Sequence, residues 1–318
     1  MTGASGFVGG HLVRRLAANG DRVLAYGRRE AAELEALPGV TYGRWDISRG
    51  QVAATVVDGV VHCAGAVSDW GPRAGFVAVN VVGTENVLRT FAQAPRFIHI
   101  STASVYDARV PKRMIREDSA YPADYLNAYS ETKMLAEVAV RSYRADAVIL
   151  RPHAVYGRGE PTLLPRLRKA RRLGRQLALG DGHNRLSITH VDNLVDAILL
   201  GLNGASAGTY NISDEPTPTL ADLLGVFLEA DRRSPSTLYV PTWLAWRLGS
   251  AAEMLWAAAR RRRPPMITRY SVAQLAFEFT LDISRARRDL GYCPRVDFRR
   301  GIADACEPAD NHPPDQVS

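Results

Sequence analysis

Residues 2–12 read TGASGFVGGHL. Gly3, Gly6 and Gly9 form G-x-x-G-x-x-G at the mouth of a helical pattern. Glycines there allow a tight turn and let a pyrophosphate approach the backbone, where a helix N-terminus favours negative charge. A glycine triplet alone is weak, because such turns also serve structure only. The segments after it give it weight. VLAY (Val23–Tyr26), VTYGRWDI (Val40–Ile47), VVHCAG (Val60–Gly65), FIHIST (Phe97–Thr102) and AVILRP (Ala147–Pro152) read as short buried strands. Helical patterns lie between them. Phe76–Phe91 puts Val79, Val82 (or Gly83) and Val87 on one face, and Ala128–Arg144 does so with Leu135, Val138 and Tyr143. This alternation predicts an α/β fold, a doubly wound parallel Rossmann sheet.

The opening is abnormal. A turn of this kind normally ends the central first strand, and here Met1 stands almost where that strand should be. The sheet is expected to lack the strand, with unpaired ladder groups at its centre, and the natural chain to begin upstream with about five apolar residues. Beyond residue 156 the pattern changes to helices and loops, with a short strand pair near Leu186–His190 and Thr209–Ile212. The expected division is a dinucleotide-binding domain over 1–155, rejoined by 186–212. A smaller, mostly helical substrate domain spans 156–185 and 213–306, and a disordered tail spans 307–318.

Composition excludes several classes. The 318 residues are 46% hydrophobic and 23% charged, which is neither a disordered chain nor a disulfide scaffold. Cys63, Cys293 and Cys306 are scattered and odd in number, with no zinc spacing, so no metal site and a reducing cytoplasm are expected. No signal-peptide pattern opens the sequence. The best apolar window, Trp243–Ala259, is broken by Arg247 and Glu253, so no spanning segment is expected. The net charge of +7 reads as a solvated basic surface; with no nucleic-acid motif, no nucleic-acid partner is expected. The apolar stretch from Trp243 to Trp256 ends in Arg260–Arg263. It reads as a substrate-domain helix with a basic end, or as a peripheral membrane face over 243–263.

Tyr129-Ser-Glu-Thr-Lys133 is the sharpest chemical signal. At i and i+4 of a helix the two side chains share a face. A phenol is a poor acid–base group at neutral pH, and a nearby ammonium is expected to lower its pKa. Only three lysines occur, Lys112, Lys133 and Lys169, among 37 arginines, so a lysine at this spacing is informative. Ser101-Thr102-Ala103-Ser104-Val105-Tyr106 closes the FIHIST strand, at the sheet edge where doubly wound folds bind ligands. His153 and His190 read as packing residues.

Together these segments resemble the extended short-chain dehydrogenase/reductase superfamily, the NAD-dependent epimerase/dehydratase family, over nearly the whole chain. The resemblance makes Gly3, Gly6, Phe7, Val8 and Gly9 the nucleotide turn. It places Asp46 and Ile47 against adenine, and His62-Cys63-Ala64-Gly65 beside the cofactor ribose. Asn80 opens a family-typical NVVGT segment. The stretch RPHAVYG (Arg151–Gly157), with Pro152 and Val155, touches nicotinamide. Thr102 falls on the catalytic Ser/Thr position, and Tyr129 and Lys133 on the Tyr-x-x-x-Lys pair, where Lys133 also holds ribose.

LRPHAVYGRGEPTLLPRL (150–167), GDGHNRLSITHVDNLVDA (180–197) and DISRARRDLGYCPRV (282–296) look most like the 3β-hydroxysteroid dehydrogenase branch and related β-keto reductases. Sugar-nucleotide enzymes place a phosphate-binding arginine six residues before the aspartate of HVD; here that position is Leu186. The implied activity is hydride exchange between NADP (or NAD) and a carbonyl or secondary alcohol of an apolar, sterol-like or β-keto lipid substrate. Gly27-Arg28-Arg29, where NAD-preferring relatives carry an acid, favours NADP. The alternatives are a sugar-nucleotide epimerase or dehydratase, and a non-catalytic NADP(H)-binding sensor. A homodimer and a cytoplasmic, membrane-peripheral location complete the expectations.

Overall fold

The computed structural model describes residues 1–307 except 173, 205, 233–235 and 262. The tail expected to be disordered therefore lies, beyond Glu307, outside the described residues.

Six strands build the main sheet: β1 (Val23–Gly27), β2 (Val40–Arg44), β3 (Val60–His62), β4 (Phe97–Ile100), β5 (Val148–Pro152) and β6 (Gly208–Ile212). β1 pairs with β2; β3, β4, β5 and β6 pair in that order, all parallel. Between β1 and β3 stand only Met1 and Thr2. Thr2 bridges Tyr26 on one side and His62 on the other. Its N–H donates to the Val61 carbonyl at 3.0 Å, and Tyr26 N–H donates to the Met1 carbonyl at 2.8 Å. The central position is thus held by a two-residue stub, as the opening of the sequence predicts. The Met1 amine donates to the Leu24 carbonyl at 2.5 Å, and burial lowers its pKa to about 6.

Successive strand residues point to opposite faces, and two cores result. Val61, Ile98, Val148 and Leu150 face one side with Leu12 of helix α1 (Phe7–Ala18). Val60, Phe97 and Ile149 face the other with Val87, Phe91 and Val140. Val140 lies on α2 (Ala128–Tyr143), and the first face is completed by Leu194 and Ile198 of α3 (Val191–Leu202). The apolar face expected on α2 is not the buried one. Val138 and Tyr143 are exposed, and the helix instead buries Ser130, Thr132, Lys133, Ala136, Glu137 and Val140. Hydrophobic periodicity cannot find a buried face that is largely polar. The segment before α2's partner helix Gly83–Thr90 is π-helical over Val77–Val82. Gly83 and Val87 are buried there and Val82 is exposed, which selects the glycine of the two alternatives.

The short strands expected near residues 186–212 do not pair with each other. Thr189–His190 pairs with Val155–Tyr156, and β6 joins the main sheet beside β5. The later chain adds a three-stranded sheet from Arg171–Arg172, Arg175–Leu179 and Thr237–Val240. It also adds Phe279–Leu281, which pairs with Lys112–Ile115. Helices α4 (Thr242–Ala258) and α5 (Arg269–Ala276) pack on each other. No helix among the described residues is long and apolar enough to cross a membrane.

Candidate active site

The glycine turn closes on itself. Gly3 has φ +76°, and a Cβ on it would lie 2.6 Å from Ala64 N; one on Gly9 would lie 2.1 Å from the Gly3 carbonyl oxygen. Neither can carry a side chain without moving backbone. The turn therefore meets the Ala64-Gly65 loop after β3. Helix α1 starts with no side-chain cap and no acidic residue in its first turn, so its first N–H groups are oriented for an anion. These features fit a dinucleotide pyrophosphate. Phe7 packs edge-on against His11, and Val8 packs on the main core.

At the end of β1, Arg28 is exposed. Arg29 folds back and donates to the Ser5 carbonyl at 3.0 Å, inside the glycine turn. Asp46, beyond β2, caps a short turn, accepting from Ser48 N at 3.1 Å and Ser48 Oγ at 2.7 Å. These bonds, with Arg49 and Arg28 nearby, hold its carboxyl below the usual range. Ile47 is buried against Gly83, where a Cβ would come within 2.7 Å. Asn80 ties the Ala64-Gly65 loop to α2. Its Oδ1 accepts from Ala66 N at 2.7 Å, and its Nδ2 donates to Thr132 Oγ1 at 3.0 Å.

Thr102, Tyr129 and Lys133 come together at the carboxyl end of β4. The Asn127 side chain caps α2 by accepting from Ser130 N at 2.8 Å, which fixes the first turn carrying Tyr129. The hydroxyls of Tyr129 and Thr102 are hydrogen-bonded. Thr102 also accepts from Ser104 N and donates to Ser104 Oγ, both at 3.1 Å. Lys133 Nζ donates to the Ile100 carbonyl at 2.7 Å and lies 3.4 Å from His99 Nε2.

The expected lowering of the phenol is not what this arrangement gives. Burial first, then the neighbouring Tyr270, push the Tyr129 pKa up, with Thr102 working the other way. Lys133 is itself buried, which lowers its pKa to about 8, and its ammonium is committed to a strand carbonyl. Pro152 ends β5, and Ala154 beyond it has φ +45°, a strained non-glycine conformation of the kind found at functional edges. Val155 opens the short strand Val155–Tyr156.

Sequence reasoning missed three groups. Glu137, one turn beyond Lys133, is buried and accepts from Arg151 at 2.9 and 2.7 Å, from Ser101 Oγ at 2.5 Å and from Tyr121 at 2.6 Å. A Lys-x-x-x-Glu spacing on α2 was the available signal. Tyr270 places its hydroxyl 2.6 Å from Ser104 Oγ, and Gln274 lies one turn further along the same helix; no local signal marks either. His153 does pack as expected. Its Nδ1 lies 2.5 Å from the Ser187 carbonyl, its Nε2 2.8 Å from the Gln274 amide, and its ring stacks on Phe279. His190 caps α3, accepting from Asp192 N.

A doubly wound sheet with a glycine turn and a Tyr-x-x-x-Lys helix at one edge is the architecture of NAD(P)-dependent oxidoreductases of the extended short-chain type. The chain belongs to the NAD dependent epimerase/dehydratase family, whose sequence model matches residues 1–213. It is 32% identical to a 2-alkyl-3-oxoalkanoate reductase of Stenotrophomonas maltophilia, over 95% of this chain and 96% of the relative. A human sterol-4-alpha-carboxylate 3-dehydrogenase, decarboxylating, is 28% identical, over 93% and 84%. Among solved structures, a UDP-glucuronic acid 4-epimerase from Bacillus cereus in complex with NAD superposes with a TM-score of 0.72 over 96% of each chain. At 22% identity that likeness establishes the fold alone.

Proposed function

We propose that this enzyme reduces the ketone of an apolar substrate, a sterol-like or β-keto lipid, with NADPH. The observation that carries the reading is the meeting of Thr102, Tyr129 and Lys133 beside the glycine turn. The nicotinamide group, when bound, supplies the hydride. Tyr129 protonates the carbonyl oxygen. Burial keeps the phenol protonated at neutral pH, which suits a proton donor in reduction better than a base in oxidation. Thr102 hydrogen-bonds the reacting oxygen, and Lys133 would hold the ribose of the bound dinucleotide. Residues 1–155 with 186–212 carry the dinucleotide, and 156–185 with 213–306 the substrate.

NADP is preferred because Arg28 and Arg29, rather than a carboxylate, stand at the end of β1; guanidinium groups pair with a 2′-phosphate. The apolar substrate is supported by the reductase and sterol relatives. Leu186 also supports it: at the sugar-phosphate arginine position it is buried at 3% exposure, and its neighbour Arg185 donates to the Thr217 carbonyl. We further infer a cytoplasmic enzyme with a membrane-facing helix. Trp243, Leu248, Met254 and Leu255 of α4 are exposed, and Arg247, Arg260, Arg261 and Arg263 are exposed near them; Arg262 lies outside the described residues. Exposed Val82 and Val138 on neighbouring helices support a homodimer.

The test is NADPH oxidation with ethyl 3-oxodecanoate, a keto-sterol and UDP-glucose as substrates. Turnover of a keto lipid and none of the sugar nucleotide is expected. Reaction with UDP-glucose alone would replace this reading by the epimerase or dehydratase one.

A further inference from the structure

Two histidines lie side by side on the sheet beneath α2. His62 on β3 and His99 on β4 are register partners, both fully buried, with ring centroids 5.3 Å apart. Strand alternation puts them on the face of Val60, Phe97 and Ile149. An aliphatic side chain would pack there without burying polar atoms, so each imidazole needs a reason.

His62 has one. Its Nδ1 lies 2.7 Å from Thr2 Oγ1 and its Nε2 2.9 Å from Thr84 Oγ1. Thr84 donates its own proton to the Asn80 carbonyl, so it accepts from His62 Nε2–H, and both ring nitrogens are satisfied. His99 is different. Its Nε2 lies 3.4 Å from Lys133 Nζ, while its Nδ1 is buried with no partner among the described residues. An ammonium only donates, so Nε2 carries the lone pair and Nδ1 the proton. The ring leaves one buried N–H unsatisfied in order to offer Lys133 an acceptor, a loss that packing alone does not justify.

We propose that His99 is a positioning residue for Lys133: its neutral imidazole accepts one ammonium proton and the Ile100 carbonyl a second, leaving the third for the ribose of the dinucleotide. The proposal rests on the reading that Lys133 binds the dinucleotide. It adds what keeps that lysine oriented and charged inside the protein.

The ionisable groups around the pair agree with this. Burial lowers the Lys133 pKa to about 8, with Glu137 and Cys63 working the other way. Glu137 is itself held by Arg151 at 2.7 Å, and burial pushes the Cys63 thiol up to about 12, so it stays neutral. Tyr129, on the same helix, is kept protonated by burial. Burial and the Lys133 charge keep His62 and His99 neutral, and Arg141 acts on His99 in the same direction. The Met1 amine faces Cys63 and His62. His99 and Ile100 are thus the direct acceptors of Lys133 among the described residues.

The test follows the NADPH dissociation constant of the full chain from pH 6 to 9.5, with Lys133→Met as the flat control. His99→Leu removes the acceptor at similar size. The ammonium loses a partner, so the pH at which binding weakens moves down by about one unit. His99→Gln, whose side-chain oxygen reaches the Nε2 position, restores most of that shift. A packing role would lower the melting temperature without moving the midpoint. An unmoved midpoint in His99→Leu, or one that glutamine fails to restore, overturns the proposal.

A second measurement leaves His99 in place. With 15N-labelled histidine and no cofactor, imidazole NMR is expected to show His99 protonated on Nδ1 at neutral pH. Its Nε2 resonance shifts with a midpoint near 8, in step with Lys133, and Lys133→Met abolishes that shift. A proton on Nε2 at neutral pH, or a resonance that Lys133→Met leaves unaltered, overturns the proposal. If His99 titrates with Lys133 but NADPH binding is independent of pH, the pairing stands and the reading of Lys133 as a dinucleotide ligand falls. If binding varies with pH and His99 does not respond, the pairing alone falls.

Discussion

Replacing Glu137 by leucine takes the carboxylate out of a buried cluster behind the catalytic edge. The Glu137 and Arg151 side chains are 0% and 3% exposed. Besides Arg151, Ser101 and Tyr121, Glu137 accepts from Arg141 at 3.1 Å. Leucine leaves the Arg151 guanidinium buried without its counter-charge, a change that costs about 3–5 kcal/mol. At about 2 °C per kcal/mol for a chain of this size, the melting temperature falls by roughly 6–10 °C. Adding Arg151→Met removes the stranded charge and recovers at least about half of the loss.

Burial pushes the Glu137 carboxyl up, but the Arg151 hydrogen bonds and charge, helped by Ser101 and Tyr121, outweigh it and hold the group below its ordinary value. Its contribution is therefore complete above the unfolded-chain value of about 4.3 and is lost as the pH falls through the folded value. Urea unfolding at neutral pH and near pH 4 reads both effects. The difference between wild type and Glu137→Leu is full at neutral pH and narrows in acid. A loss below about 1 kcal/mol, or a double variant less stable than the single one, would refute the reasoning.

Tyr129→Phe lowers kcat by at least about a hundredfold with little change in the NADPH dissociation constant, while Lys133→Met damages both; full turnover by the phenylalanine variant would show that another group is the acid. Arg28→Asp weakens NADPH binding and strengthens NADH binding, measured by fluorescence titration; tighter NADH than NADPH binding by the unmodified protein would count against the 2′-phosphate assignment. Gly9→Ala brings a Cβ within 2.1 Å of the Gly3 carbonyl oxygen, so it abolishes dinucleotide binding, and a variant that still binds NADPH normally would disprove the close packing. Lys133 releases its proton near pH 8 because it is buried, so NADPH binding to the free enzyme weakens as pH rises through that value; a Kd independent of pH between 7 and 9.5, read against Lys133→Met, would show that its charge is not used.

The local periodicities set out the parallel sheet and the short central position. Val60-Val61, Phe97-Ile98 and Val148-Ile149-Leu150 are apolar at consecutive positions because both sheet faces are covered, and that pattern needs no tertiary information to read. The glycines at 3, 6 and 9 and the Tyr129–Lys133 spacing were legible for the same reason: turn geometry and helical period are local properties. The buried face of α2 was not legible. Its inward residues are polar and are stabilised by partners far along the chain: Thr132 by Asn80, and Glu137 by Arg151 and Tyr121.

The protonation of the site was also decided in three dimensions. Sequence spacing puts an ammonium near a phenol and suggests a lowered pKa. Desolvation and the nearby Tyr270 are properties of packing, and they reverse the sign for Tyr129. The contacts Ser104–Tyr270 and His153–Gln274 join positions more than a hundred residues apart. Sequence alone thus determined the scaffold and picked out the candidate side chains Thr102, Tyr129 and Lys133, since these arise from short-range period and turn chemistry. The tertiary structure alone decided how burial and neighbouring charges shift the proton affinities of those groups, because dielectric and charge pairing arise between segments distant in the chain.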